Sequence, residues 1–201
     1  MKPILFALAA AGLVAGCART ATEESASVAA ASAMDPMSPL MAPGFMANAA
    51  SSDQFEIQSS QMALQMSRNP QVRQFAQTMI DHHSRTTAEL TQIAQANGMA
   101  PPPPTLMPQH QAALSRLQQA APGTFDAAYK QEQIMSHQEA LTLMQNYAAQ
   151  GDTPALRDFA ARTTPIIQQH LGQAQALPDQ MMMAPQPTQQ PAPTSRAGER
   201  G

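Results

Sequence analysis

The chain reads as all-α: a four-helix bundle made of two helical hairpins, with a long crossover carrying a short extra helix. Three observations predict this. Apolar residues recur at steps of three, four and seven, the spacing of one helix face, as in Val72, Phe75, Ala76, Met79, His83, Leu90, Ile93 and Ala94. Ala, Gln and Met, all good helix formers, dominate the composition, and β-branched runs and Gly-rich hairpin turns are missing. Finally, Pro70-Gln71-Val72-Arg73-Gln74-Phe75-Ala76 returns as Pro154-Ala155-Leu156-Arg157-Asp158-Phe159-Ala160, at an offset of 84 residues. Each copy follows a helix-breaking turn and a helical pattern, which points to a duplicated hairpin.

Residues 1–17 form a targeting segment. Lys2 supplies the positive charge, and the apolar run from Ile4 to Val14 is too short to span a bilayer as a stable helix. Its end, Leu13-Val14-Ala15-Gly16-Cys17, resembles a bacterial lipobox. That resemblance implies that Cys17 is acylated and becomes the first residue of the mature protein. More than one acyl chain gives stable anchoring, so the membrane is an expected partner. Ala18 follows the Cys, where an Asp would act as an inner-membrane retention signal. The expected location is the periplasmic face of the envelope, at the outer membrane.

Residues 18–50 are rich in Ala, Ser, Met and Pro without a sustained apolar period, and read as a flexible tether. Met34, Met37, Met41 and Met46 lie in it, and Met181, Met182 and Met183 lie in a Gln/Pro-rich tail over 179–201. Thioethers are soft ligands that suit Cu(I), so copper handling by these segments is one reading. A low-complexity linker that happens to use Met is the plainer one.

The bundle occupies 51–178. The first helix is predicted over 52–68, capped by Ser52-Asp53, with Phe55, Met62, Ala63 and Met66 inward and Glu56 beside them. Asn69-Pro70 starts the second, over 70–97, and Asn97-Gly98 stops it. His83 falls on its apolar stripe, with His82 just off it and Asp81 further round. The stiff Pro101-Pro102-Pro103-Pro104 segment and a short helix over 108–120 make the crossover, with Ala113, Leu114 and Leu117 inward and His110 solvated. The third long helix, over 125–150 with Thr124 as cap, has Ile134, His137, Leu141, Met144 and Ala148 on its stripe. The fourth, over 154–177, has Leu156, Phe159, Ala160, Thr163, Ile167, His170, Ala174 and Leu177, with Pro165 as an internal kink.

Helices joined by a tight turn run antiparallel, so residues equally far from the turn sit at equal height. Glu56 lies 14 residues before Pro70 and His83 lies 13 after it. His137 lies 17 before Pro154 and His170 lies 16 after it. At about 1.5 Å per residue the two pairs differ by about one helical turn. If a pseudo-twofold relates the hairpins, all four groups meet in the core, as metal ligands do in long-crossover bundles.

Asp53-x-Phe55-Glu56, Met79-Ile80-Asp81-His82-His83-Ser84, Phe125-Asp126-x-x-Tyr129, His137-Gln138 and Pro165-x-x-x-x-His170-Leu171 resemble the bacterial family catalogued as domain of unknown function 4142. The resemblance covers about 51–178 and implies a secreted, ferritin-like four-helix bundle without an established activity. The Glu-x-x-His motif of di-iron bundles is absent, since Ile80 and Ile167 stand three residues before His83 and His170.

Two readings of the histidines stay open. One is a non-catalytic binding or structural module, whose buried rings hydrogen-bond to one another or to Glu56, Tyr129 and Ser84. The other is a metal-binding, storage or metal-dependent oxidoreductase bundle, holding a zinc, iron or copper ion with His83, His137, His170 and Glu56 or Asp81. A single ion would draw the ring nitrogens to within roughly 4 Å of one another. Other classes lack support. With a net charge of −3 and no basic stripe, nucleic acid is not an expected partner. No Gly-x-Ser-x-Gly elbow or Gly-rich phosphate loop is present, and the only Cys is committed to the anchor.

Overall fold

The computed structural model describes residues 35–178, and Cys17, Met34 and Met181 to Met183 lie outside them. Five helices follow one another: α1 Ala42–Met66, α2 Pro70–Ala96, α3 Pro108–Gln119, α4 Phe125–Gln150 and α5 Pro154–Gln175. No strand occurs among the described residues. The hairpin partners α1 and α2, and α4 and α5, pack most extensively. Across the hairpins, α1 meets α4 and α2 meets α5, while α3 lies on α1 and α4.

The repeated heptapeptide has a mechanical role in both hairpins. Val72, Phe75 and Ala76, like Leu156, Phe159 and Ala160, are buried. The Arg of each copy reaches back across the turn. Arg73 donates to the carbonyls of Leu64 and Ser67, and Arg157 donates to that of Gly151 at 2.7 Å. Ser67 and Gly151 are the C-cap residues of α1 and α4, where carbonyls lack intrahelical partners. They stand at the same 84-residue offset as the two arginines. Asn69 caps α2 by accepting from the Gln71 amide at 2.9 Å, and Gly98, at φ 67°, ends it in the left-handed conformation.

Several boundaries and faces differ from the sequence expectation. The first helix begins at Ala42, ten residues before the predicted start, so 42–50 belong to the bundle rather than to a tether. Pro43 suits a first helical turn, where its missing N–H would have had no partner anyway. A Cβ on Gly44 would meet the Ser38 carbonyl oxygen at 2.2 Å, so this residue must be Gly for 36–38 to fold back on the helix. Phe45 stacks on Tyr147 with centroids 3.9 Å apart, and Met46 is buried beside it. Met41 is the N-cap residue and half-buried, so neither it nor Met46 is a free tether ligand.

The others are smaller. Met66, expected inward, is exposed at the end of α1. On α4 the buried face runs through Tyr129, Gln133, Ser136, His137, Ala140, Met144 and Tyr147, leaving Ile134, Leu141 and Ala148 half-buried. That helix meets α1, α3 and α5 at once, so its buried sector is wide. Thr124 is the N-cap residue of α4 without a capping bond, and its hydroxyl donates instead to the Ala121 carbonyl. On α5 all eight expected stripe residues are buried, although the helix ends at Gln175.

Two apolar clusters fill the bundle. One gathers Phe55, Val72, Phe75, Met79, Leu117, Phe125 and Tyr129, and the other Phe45, Leu90, Met144, Tyr147, Leu156 and Phe159. Along each long helix a polar layer falls between them. Removing one turn clasp, by Arg73→Ala or Arg157→Ala, should lower unfolding free energy by about 1 kcal/mol in urea titrations. Phe159→Ala should cost about 3–5 kcal/mol, because it empties a packed core site. Equal, near-zero effects of all three changes would contradict this account of the hairpins.

Candidate metal centre

The polar layer is built from all four long helices. α1 contributes Asp53 and Glu56, α2 contributes His83, α4 contributes His137 and α5 contributes His170. His83, His137 and His170 are 3%, 1% and 2% exposed, so none is a surface residue whose nitrogens water would satisfy. Their ring centroids stand 5.8, 5.6 and 5.4 Å apart, and one nitrogen from each lies within 4.8 Å of the others. The height argument therefore holds for the three rings. Their nitrogens are somewhat more open than the roughly 4 Å spacing that a single ion with bonds of about 2.0–2.1 Å would impose.

Each ring has one nitrogen engaged and one without a protein partner. His83 Nδ1 is 2.7 Å from Asp53 Oδ1, which also accepts from Thr86, while Asp53 Oδ2 accepts from Thr87. His137 Nδ1 is 2.8 Å from the Gln133 carbonyl, which can only accept, so the proton sits on Nδ1. His170 Nε2 is 2.7 Å from Nδ1 of half-buried His82, whose ring stacks on it. Left over are His83 Nε2, His137 Nε2 and His170 Nδ1. An unpaired buried polar atom costs about 1–3 kcal/mol, so three in one layer call for a shared partner.

Glu56 lies beside the triad. One of its oxygens accepts from Ser136 and is 3.6 Å from His137 Nδ1, and the other, Oε2, has no partner. Asp81 does not belong here: it is exposed on α2 and accepts from Gln77 at 3.0 Å, because its position points away from the stripe. Tyr129 and Ser84 do not serve the rings either. Tyr129 pairs with Ser60 at 2.7 Å and Ser84 donates to the Ile80 carbonyl. His110, expected in solvent, is buried: its Nδ1 bonds Ser51 at 2.6 Å and its ring stacks on Phe55. α3 packs its polar end, not only its leucines, onto α1.

Asp53 is the residue of the site that sequence reasoning missed. It was expected as a helix cap, but α1 starts eleven residues earlier and Asp53 is buried in mid-helix. The height count could have found it, since Asp53 lies 17 residues before Pro70 and Thr87 lies 17 after it.

Burial sets the protonation states. It pushes His170 down to about 2, with the neighbouring imidazoles adding to the effect. Burial also lowers His137, and the nearby Glu56 does not offset it. For His83 burial pulls down, but the hydrogen bond and charge of Asp53, with Glu56, outweigh it and the net direction is upward. Two rings are thus held neutral, the state in which imidazole binds a metal.

A helical bundle with three converging imidazoles, each braced from behind, defines a class: a protein with a preformed buried site that could hold a metal ion. The chain belongs to the family of the domain of unknown function DUF4142, whose model matches residues 24–177. No curated protein matches it. Among solved structures it is similar in fold to "CopM in the Cu(II)-bound form", with 21% identity and a TM-score of 0.58 over 67% of this chain and 93% of that one. It is similar also to "CopM in the Ag-bound form (by co-crystallization)", with 20% identity, a TM-score of 0.56 and the same coverage.

A pH dependence follows for the metal-free protein. His137 and His170 have folded values below their unfolded one, so the unfolded chain takes up protons there that the folded chain refuses. Their contribution is full above about pH 6.5 and is lost as the pH falls below it. His83, raised, acts in the opposite sense, but it is one ring against two. The melting temperature without metal should fall between pH 7.5 and 5.5. A flat or rising profile would refute the neutral assignment of these two rings.

Proposed function

We propose that this protein is a metal-binding module of the bacterial envelope, in which His83, His137 and His170 hold one transition-metal ion and Glu56 balances its charge. The observation that carries this reading is the pattern of used and unused ring nitrogens. Metal-ligating histidines characteristically donate the other ring N–H to a carboxylate or a backbone carbonyl, which fixes the tautomer and aims the lone pair. Asp53 and the Gln133 carbonyl stand in those places. A purely structural layer would use Nε2 of His83 and His137 and Nδ1 of His170 in hydrogen bonds, yet none of the three has a protein partner, and Tyr129, Ser84 and Ser136 are engaged elsewhere.

Imidazole suits zinc, iron and copper alike, and affinity for divalent ions peaks at Cu(II). The two similar structures are a Cu(II)-bound and an Ag-bound form. Copper(II) is the ion favoured here. The scaffold is of the ferritin-like, long-crossover kind, with ligands on facing helices. The lipobox-like sequence ending at Cys17 supports a lipid anchor, at the outer membrane on the periplasmic side.

Metal analysis of the untagged chain purified from the periplasm or membrane fraction should find about one equivalent of copper or another d-block ion. Added Cu²⁺ at 100 times its dissociation constant should stabilise the fold by about 2.7 kcal/mol. Each of His83→Ala, His137→Ala and His170→Ala should weaken binding by orders of magnitude. Loss of about 1–3 kcal/mol in each variant with no response to metal in the unmutated chain would favour the structural layer instead. Separately, Cys17→Ser should move the protein from the membrane to the soluble fraction, and unchanged fractionation would reject the anchor.

A further inference from the structure

The triad lies inside the bundle. Its three rings are nearly fully buried, and a cavity of about 10 Å³ beside His83, lined by Asp53, Ala140, Met144, Phe159 and Thr163 among others, barely admits one water. α3 covers the seam between α1 and α4, and Arg116 locks it there with bonds of 2.5 and 2.9 Å to Glu132. The opposite seam, between α2 and α5, carries His82.

His82 differs from the other groups that brace the triad. Asp53 and the Gln133 carbonyl are interior acceptors, whereas His82 is half-buried and is itself a ligand-type side chain. His170 is thereby two-sided: its Nε2 faces this outer imidazole, and its Nδ1 is the free nitrogen of the buried layer. Two stacked imidazoles, one reaching solvent and one reaching the core, form a continuous line of nitrogen ligands from surface to site.

We propose that His82 is the loading ligand of the triad, the residue through which an ion passes to and from it. This rests on the metal-binding reading above. An ion arriving at the α2–α5 seam displaces the proton now shared between His82 Nδ1 and His170 Nε2, and that proton passes to the other nitrogen of the ring that held it, so both rings stay neutral imidazoles. The two rings hold the ion as a pair. A flip of the His170 ring then carries the ion on Nε2 inward to His83 and His137, and turns Nδ1–H outward to His82. His82 contacts His170 in both end states, so removing it raises the barrier in both directions and changes the affinity little. A brace that merely positions His170 would act on affinity instead.

The test is kinetic and uses the full chain with Cu²⁺ as the probe. Binding is followed by stopped-flow absorbance, release by transfer to excess EDTA, and affinity by competition titration. His82→Ala and His82→Asn should both slow uptake and release by about tenfold or more, with the dissociation constant within about threefold, because equal changes in both rates cancel in their ratio. Asn keeps a hydrogen-bonding group beside His170 but is a poor ligand for copper. If His82→Ala weakens binding roughly 10–100-fold through faster release, and His82→Asn restores it, His82 is a positioning residue and the proposal is wrong. Unchanged rates in both variants would also overturn it. Failure of the unmutated chain to bind Cu²⁺ at all would instead bring down the metal-binding reading beneath it.

Discussion

Three imidazoles and a carboxylate sit between the two apolar clusters of the bundle, and this layer is the constraint around which the rest is arranged. Burying a polar group without a partner is unfavourable, and burying a charge is far more so. The surrounding groups answer most of that demand. Asp53 takes His83, Ser136 takes Glu56, and the Gln133 carbonyl takes His137. Thr86 and Thr87 in turn hold Asp53. The apolar clusters above and below exclude water, which strengthens every electrostatic contact between them. Three inward nitrogens and one Glu56 oxygen remain, and they define what the layer is for.

The duplication explains the scaffold and fails at the site. Offsetting by 84 residues maps the turn arginines, the C-caps and the core phenylalanines onto one another. It maps His137 onto Asp53 and His170 onto Thr86, while His83 falls on Ile167. In the second hairpin the paired positions thus hold two imidazoles 5.4 Å apart, and in the first they hold a hydrogen-bonded Asp and Thr. The first hairpin uses that pair to brace His83, one turn away. A symmetric scaffold has been given an asymmetric centre, with ligands weighted to one half and support to the other.

The crossover contributes more than a connection. Ser51 accepts from the Met107 amide and pairs with His110, and Met99 and the prolines at 101–103 lie near Pro43 and Met46. These contacts close one side of the bundle and make the two sides unequal. The α2–α5 side, without such a cover, is where the polar layer comes nearest to solvent, at His82.

The sequence by itself determined the helices and most of their inward faces. Periodicity, the Asn69 cap, the Gly98 stop and the repeated heptapeptide are local signals that depend on a few neighbouring residues. Counting from each turn proline also placed His83, His137 and His170 at one level, because helix rise is nearly constant. The start of α1 was not legible, since Ala42 to Ala50 are small residues that gain a face only from what packs on them. Nor were the partners of each ring. Whether Asp53 is a cap or a brace, whether His110 is wet or buried, and why Asp81 is excluded depend on side chains 30 to 88 residues away in sequence. A single histidine presents two nitrogens, and only the packed bundle decides which is tied and which is left free.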